Sequence, residues 1–117
     1  MNSSYSILPP VNQVTSFRQP KVGDILVSEW GYDQVNADFY EVVAVTDKSV
    51  QLHQLQENET STAAMFGRSI PFLKTYRGSP SFRRMFKQSG SEYRVRLTSY
   101  SSASPWDGQP VEVSHTH

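Results

Sequence analysis

Apolar and polar positions alternate over Asp38 to Thr46, where Tyr40, Val42, Ala44 and Thr46 take one side and Phe39, Glu41, Val43 and Val45 the other. A period of two, carried by β-branched and aromatic residues, is the pattern of a strand. Asp47-Lys48 stands where a tight hairpin would turn, and Val50 and Leu52 resume the alternation in a return strand reaching about Gln56. Upstream, Lys21-Val22-Gly23-Asp24 reads as a turn feeding a first strand, with Ile25 and Val27 on one side and Leu26 and Ser28 on the other. Glu92 to Thr98 places Tyr93, Val95 and Leu97 inward and Glu92, Arg94, Arg96 and Thr98 outward. Slipping that register by one residue would bury two guanidinium groups, which fixes it.

The remaining segments are less regular. Phe82 to Lys87 reads as a short basic strand, Ser89-Gly90-Ser91 as a turn, and Asp107-Gly108 as a strong turn signal before a last edge strand at Pro110 to Val113. Trp30 to Asn36 interrupts the pattern with turn formers and reads as a loop rich in polar and aromatic groups. Glu57 to Ala63 is polar and reads as a loop; Ala64 to Tyr76 reads as a short helix or an irregular crossover that Pro71 limits. Ser99 to Ser104 reads as a connection. Four or five short strands joined by turns predict an all-β domain, with an SH3-like barrel the first expectation and an OB-like barrel the second. Met1 to Pro20, rich in Ser, Asn, Gln and Pro, is expected to form an N-terminal arm on a domain spanning residues 21–117, pinned by Ile7, Leu8 or Phe17 if it docks.

Composition narrows the function classes. The chain has 117 residues, enough for one domain, and 12% aromatics compensate for a modest aliphatic content. It has no cysteine, which excludes disulfides, thiolate nucleophiles and thiolate metal sites and favours a reducing compartment. With no run long enough for a signal-peptide core or a membrane span, a soluble protein of the cytoplasm is expected. There is no Gly-rich phosphate loop, His-Glu-x-x-His pair or nucleophile elbow. His53 falls in an expected strand at the surface, and His115 and His117 in the last three residues. Asp33, Asp38 and Glu41 lack the spacing of a calcium loop, and Glu41 is expected to face solvent. An enzyme working through Asp33, Asp38 and His53 is a remote option; the expectation is a non-enzymatic binding module without a cofactor.

Two segments carry a resemblance: Val22-Gly23-Asp24 through Trp30-Gly31-Tyr32-Asp33-Gln34-Val35-Asn36-Ala37-Asp38-Phe39-Tyr40, and Tyr93-Arg94-Val95-Arg96-Leu97 through Ser99-Tyr100-Ser101-Ser102-Ala103-Ser104-Pro105-Trp106-Asp107-Gly108. Together they resemble a group of small proteins encoded by bacteriophages and other bacterial mobile elements. The resemblance covers roughly Val22 to Pro110 without the Glu57 to Pro80 middle. It implies an origin, hence a host cytoplasm, and a common fold; it transfers no functional residue.

Charge supplies the candidate site. The formal net charge is zero, but Met1 to Gly67 holds three basic residues against eight acids, whereas Arg68 to Arg96 holds eight against Glu92 alone. Arg83, Arg84, Lys87, Arg94 and Arg96, with Tyr76, Phe82, Phe86 and Tyr100 interleaved, form a candidate nucleic-acid surface, because phosphates meet cations and bases stack on rings. Trp30-Gly31-Tyr32 with Asp33 and Gln34 forms a second candidate recognition loop, the alternative being that Trp30 and Phe39 plug one end of the barrel. Tyr32, Asp33 and Gln34 are expected to be more exposed than Trp30, and Trp106 to be a core plug beside the Asp107-Gly108 turn. Alternatively the basic half pairs with the acidic half, within the domain or in a homo-oligomer. The partner alternatives are nucleic acid and a host protein, the latter bound by an inhibitor of a defence system in the manner of an anti-CRISPR protein.

Overall fold

The computed structural model describes residues 17–31 and 34–114. Their fold is all-β, with eight antiparallel strands: β1 (Ile25–Trp30), β2 (Asn36–Val45), β3 (Ser49–Ala63), β4 (Phe66–Tyr76), β5 (Phe82–Ser89), β6 (Glu92–Arg96), β7 (Ser102–Pro105) and β8 (Val111–Ser114). The sheet order is β2-β1-β7-β6-β5-β3-β4-β8. Because β2 also pairs with β3, the hydrogen-bonded path β1–β2–β3–β5–β6–β7 returns to β1. Among the described residues no helix is long and apolar enough to cross a membrane.

Both faces of β2 are buried. Ala37 and Phe39 enter one cluster with Leu55, Val111 and Val113, while Tyr40 and Val42 enter another with Leu26, Val50, Leu52, Tyr93, Val95 and Ala103. Within β1, Leu26 and Ser28 are buried on one side while Ile25 and Val27 pack against the first cluster from the other. The alternation in β6 is as the sequence indicates: Tyr93 and Val95 are fully buried, and Arg94 and Arg96 are exposed. Leu97, half-buried, lies just past the strand end.

Several expectations need correction. Residues 57–63 are strand, since β3 runs on to Ala63, and 66–76 are strand rather than helix or crossover. Pro71 is accommodated opposite Glu57, next to a register irregularity in the β3–β4 ladder, where a missing N–H matters least. The Ser-rich connection contains β7. The strand count among the described residues is therefore eight, not four or five.

The turn at Lys21–Asp24 closes as expected: the Asp24 N–H donates to the Lys21 carbonyl at 3.0 Å and Gly23 takes φ +98°, a value glycine adopts without penalty. Asp24 then anchors the segment before it. Its carboxylate accepts from the buried Tyr93 hydroxyl at 2.8 Å and pairs with Arg18 at 2.9 Å, and Arg18 also reaches Glu92 at 3.3 Å. Burial first, then the bond to Asp24, push the Tyr93 phenol far above its ordinary range. Phe17 packs on the core beside Phe86. Of the three residues expected to pin the N-terminal segment, Phe17 is the one the structure describes; Ile7 and Leu8 lie outside the described residues.

β4 is inverted relative to an ordinary half-buried strand. Gly67, Ser69 and Pro71 face inward, and Phe66, Arg68, Ile70 and Phe72 face out. The inner side is too close-packed for bulk: a Cβ on Gly67 would sit 3.0 Å from both the Glu59 carboxylate and the Thr60 carbonyl. Ser69 is fully buried with its hydroxyl unpartnered. Ser69→Ala should therefore stabilise the domain by about 1 kcal/mol, because it removes a desolvated polar atom without opening space. Urea denaturation checks this; a loss of stability would mean that the hydroxyl has a partner in solution.

Candidate functional site

The five basic residues singled out from sequence all lie on or beside one part of the sheet. Arg83, Arg84 and Lys87 are exposed on β5, and Arg94 and Arg96 are exposed on β6. The β5–β6 register sets Lys87 directly opposite Arg94, and the β6–β7 register sets Arg96 opposite Ser102. Side chains directly opposite in an antiparallel pair share a face, so Lys87, Arg94 and Arg96 stand together on the outer surface. Arg84 reaches the same region from the strand end, its Nε donating to the Leu97 carbonyl at 3.5 Å and its guanidinium lying 4.8 Å from the Phe82 ring centroid. Arg83 donates to the Ser49 hydroxyl at 3.2 Å.

An open groove of about 780 Å³ runs across this surface, with Arg84, Lys87, Arg94, Arg96, Met85 and Tyr100 among its walls. Of the four aromatics interleaved with the basic block, only Tyr100 presents its ring to the groove, at 80% exposure. Phe82 and Phe86 turn inward onto the core, so their expected role as exposed stacking rings is corrected by the period of β5. Tyr76 is occupied elsewhere, stacked on His53 with centroids 4.2 Å apart.

Ion pairing divides the basic segment in two. Arg68 pairs with Glu112 at 3.0 Å, Lys74 with Glu41 at 2.6 Å and Arg77 with Glu57 at 3.2 Å. Arg83, Arg84, Lys87, Arg94 and Arg96 form no ion pair with any acid among the described residues. Glu92 shares the outer face of β6, but Arg18 engages its carboxylate. Internal neutralisation therefore accounts for the residues before Ser79 and leaves the later five.

The second candidate loop does not join this surface. Gln34 is half-buried and Trp30 is 40% exposed, the reverse of the expected order. The Gln34 amide donates to Asn36 at 3.4 Å, while the Trp30 indole N–H donates to Asp38 at 2.7 Å. Trp30 is thus a surface residue, and Phe39 plugs the core edge-on against Trp106. Tyr32, Asp33, His115 and His117 lie outside the described residues.

Sequence reasoning missed one polar cluster. Glu41, expected in solvent, has a side chain only 3% exposed, because the far side of β2 is covered by the end of β4 rather than by water. The Lys74 ammonium and the Tyr76 hydroxyl donate to its two oxygens at 2.6 and 2.8 Å, and His53 lies opposite it across the β2–β3 ladder. Burial opposes ionisation, but the hydrogen bonds from Lys74 and Tyr76 and the charge of Lys74 outweigh it and hold the carboxyl below its usual range. Lys74 reaches this position with φ +61°, a left-handed conformation uncommon for a residue with a side chain. The signal in the sequence was Tyr40 and Val42 flanking an acid in a strand apolar on both sides. Of the remaining residues of the remote catalytic option, Asp38 accepts from Trp30 and His53 stacks on Tyr76. Among the described residues no three acidic or histidine side chains gather as metal ligands.

No family model, curated protein or solved structure matches the chain.

The depressed carboxyl of Glu41 has a definite pH signature. A folded pKa below the unfolded value of about 4.5 gives stability that is full above that value and lost as pH falls through the folded one. Glu41→Gln should cost about 1–2 kcal/mol at pH 7, and the gap from wild type should close on acidification towards pH ~3. Urea midpoints at the two pH values measure this. A gap that persists unchanged in acid would show that the carboxylate charge is not what stabilises the cluster.

Proposed function

We propose that the domain is a small SH3-like barrel that binds nucleic acid without catalysis, through the groove walled by Arg84, Lys87, Arg94, Arg96 and Tyr100. The closed strand path supports the barrel. The observation that carries the binding is the Lys87–Arg94 pair, two cations directly opposite on adjacent strands with no ion pair to an acid among the described residues, Glu92 on the same face being engaged by Arg18. Like charges so placed are destabilising, by about 0.5 kcal/mol, in an isolated domain. Threonine or serine would serve the fold better at either position, so the arrangement suits a polyanion that supplies the missing negative charge. An exposed ring at the end of the same groove gives a base a surface to stack on. A duplex stacks its bases internally, so a single strand is the form that uses both the cations and Tyr100.

The site's basic arithmetic sets the test. Four phosphate contacts on a single strand predict a log–log slope of affinity against salt of about −3. Fluorescence anisotropy with a labelled single-stranded oligonucleotide at low salt reads it directly. Arg94→Glu together with Arg96→Glu should abolish binding with little change in thermal midpoint, because both side chains are exposed. Tyr100→Ala should weaken binding by roughly 1–3 kcal/mol and leave the slope unchanged. Absence of binding at tens of micromolar protein would overturn the proposal, since non-specific binders commonly reach about 10⁻⁴–10⁻⁶ M. The cationic face would then be assigned to an acidic protein surface, as the host-protein alternative requires.

A further inference from the structure

The outer side of the β3–β4–β8 sheet carries large apolar side chains with nothing among the described residues over them. Phe66, Ile70 and Phe72 are 55%, 38% and 46% exposed, all at outward positions of β4. Surface strands of soluble proteins ordinarily place polar residues at such positions. Crowding by the Glu59 carboxylate and the Thr60 carbonyl accounts for the lack of bulk at inward Gly67. It does not explain why the outward positions are aromatic and aliphatic. Met65 at the hairpin turn and Leu73 beyond Phe72 extend the patch at 46% and 61% exposure. From Phe66 to Phe72 it is about 20 Å long, at about 3.4 Å per residue. Clustered apolar surface of that extent marks an interaction site rather than scattered exposure.

The charges within the patch indicate the occupant. Arg68 lies between Phe66 and Ile70 on the same face, and the β4–β8 register places Glu112 directly beside it. The two are 3.0 Å apart and both are exposed, at 57% and 75% of their side chains. A patch holding one cation and one anion at its middle is complementary in charge to itself. A polyanion or an anionic lipid surface is disfavoured, because Glu112 offsets the charge of Arg68 and leaves the patch without a net positive charge. We propose that this face pairs with the same face of a second copy of the chain about a two-fold axis near the Arg68–Glu112 pair. In such an isologous contact each Arg68 meets Glu112 of the second copy, and Phe66, Ile70 and Phe72 are covered from both sides.

Sedimentation equilibrium with charge-reversal variants tests this. The wild-type protein should dimerise reversibly as its concentration rises from about 10 to 500 µM, as suits a small interface. Arg68→Glu alone and Glu112→Arg alone should each stay monomeric, because each places like charges across the axis twice. Mixed in equal amounts they should associate at least tenfold more tightly than either alone, since the heterodimer restores both opposite-charge contacts. Phe66→Ser with Phe72→Ser should weaken wild-type association at least tenfold. A wild-type protein monomeric throughout the range, single reversals that dimerise like wild type, or a mixture that stays monomeric would each overturn the proposal.

Discussion

Burial of β2 on both faces is the constraint from which the rest of the molecule follows. Successive residues of one strand, Phe39 and Tyr40, feed two separate apolar clusters, so β2 is a wall shared by two small cores. Such a wall must be covered on each side. On one side β1, β3 and β5 to β7 complete the cluster around Tyr93 and Val95; on the other, β8 brings Val111 and Val113 over Phe39 and Leu55. The acid at position 41 is caught between these layers. It is kept ionised because Lys74 and Tyr76, at the end of β4, are folded back onto it. The left-handed φ of Lys74 is part of that geometry, and the strain it carries is offset by the hydrogen bonds it permits.

The parts of the fold with one buried face could be read from sequence, and the parts that depend on the second core could not. β6 alternates cleanly because only one of its faces meets apolar neighbours, so Tyr93 and Val95 identify themselves. Glu41 was misplaced for the opposite reason: a period-two pattern assigns every second residue to water unless another layer lies there. β4 escaped because its inward residues are Gly67, Ser69 and Pro71, which in isolation spell a loop, while its outward ones are the large apolar residues. The tail of β3 is polar throughout and is strand only because β4 pairs with it, which no local propensity records.

The cationic face was legible as a cluster but not as an uncompensated one. Sequence shows eight bases between Arg68 and Arg96, and nothing in it tells which of them find acids. Strand register decides that. It brings Arg68, Lys74 and Arg77 to Glu112, Glu41 and Glu57, and it brings Lys87 to Arg94. The basic segment is therefore split in space, with an acid-balanced part along β4 and an unbalanced one across β5 and β6. The two parts also differ in surface chemistry: one is apolar with a single central ion pair, the other polar and positive with one exposed ring.

Nitrogen–proton correlation spectra of the full chain, recorded during titration with a short single-stranded oligonucleotide at low salt, address the central claim most directly. The account predicts fast-exchange shifts concentrated at the amides of Arg84 to Lys87, Arg94 to Arg96 and Thr98 to Ser102, with Phe66 to Phe72 and Gln34 unmoved. Spectra that do not change, or shifts centred on the β3–β4 hairpin instead, would contradict it.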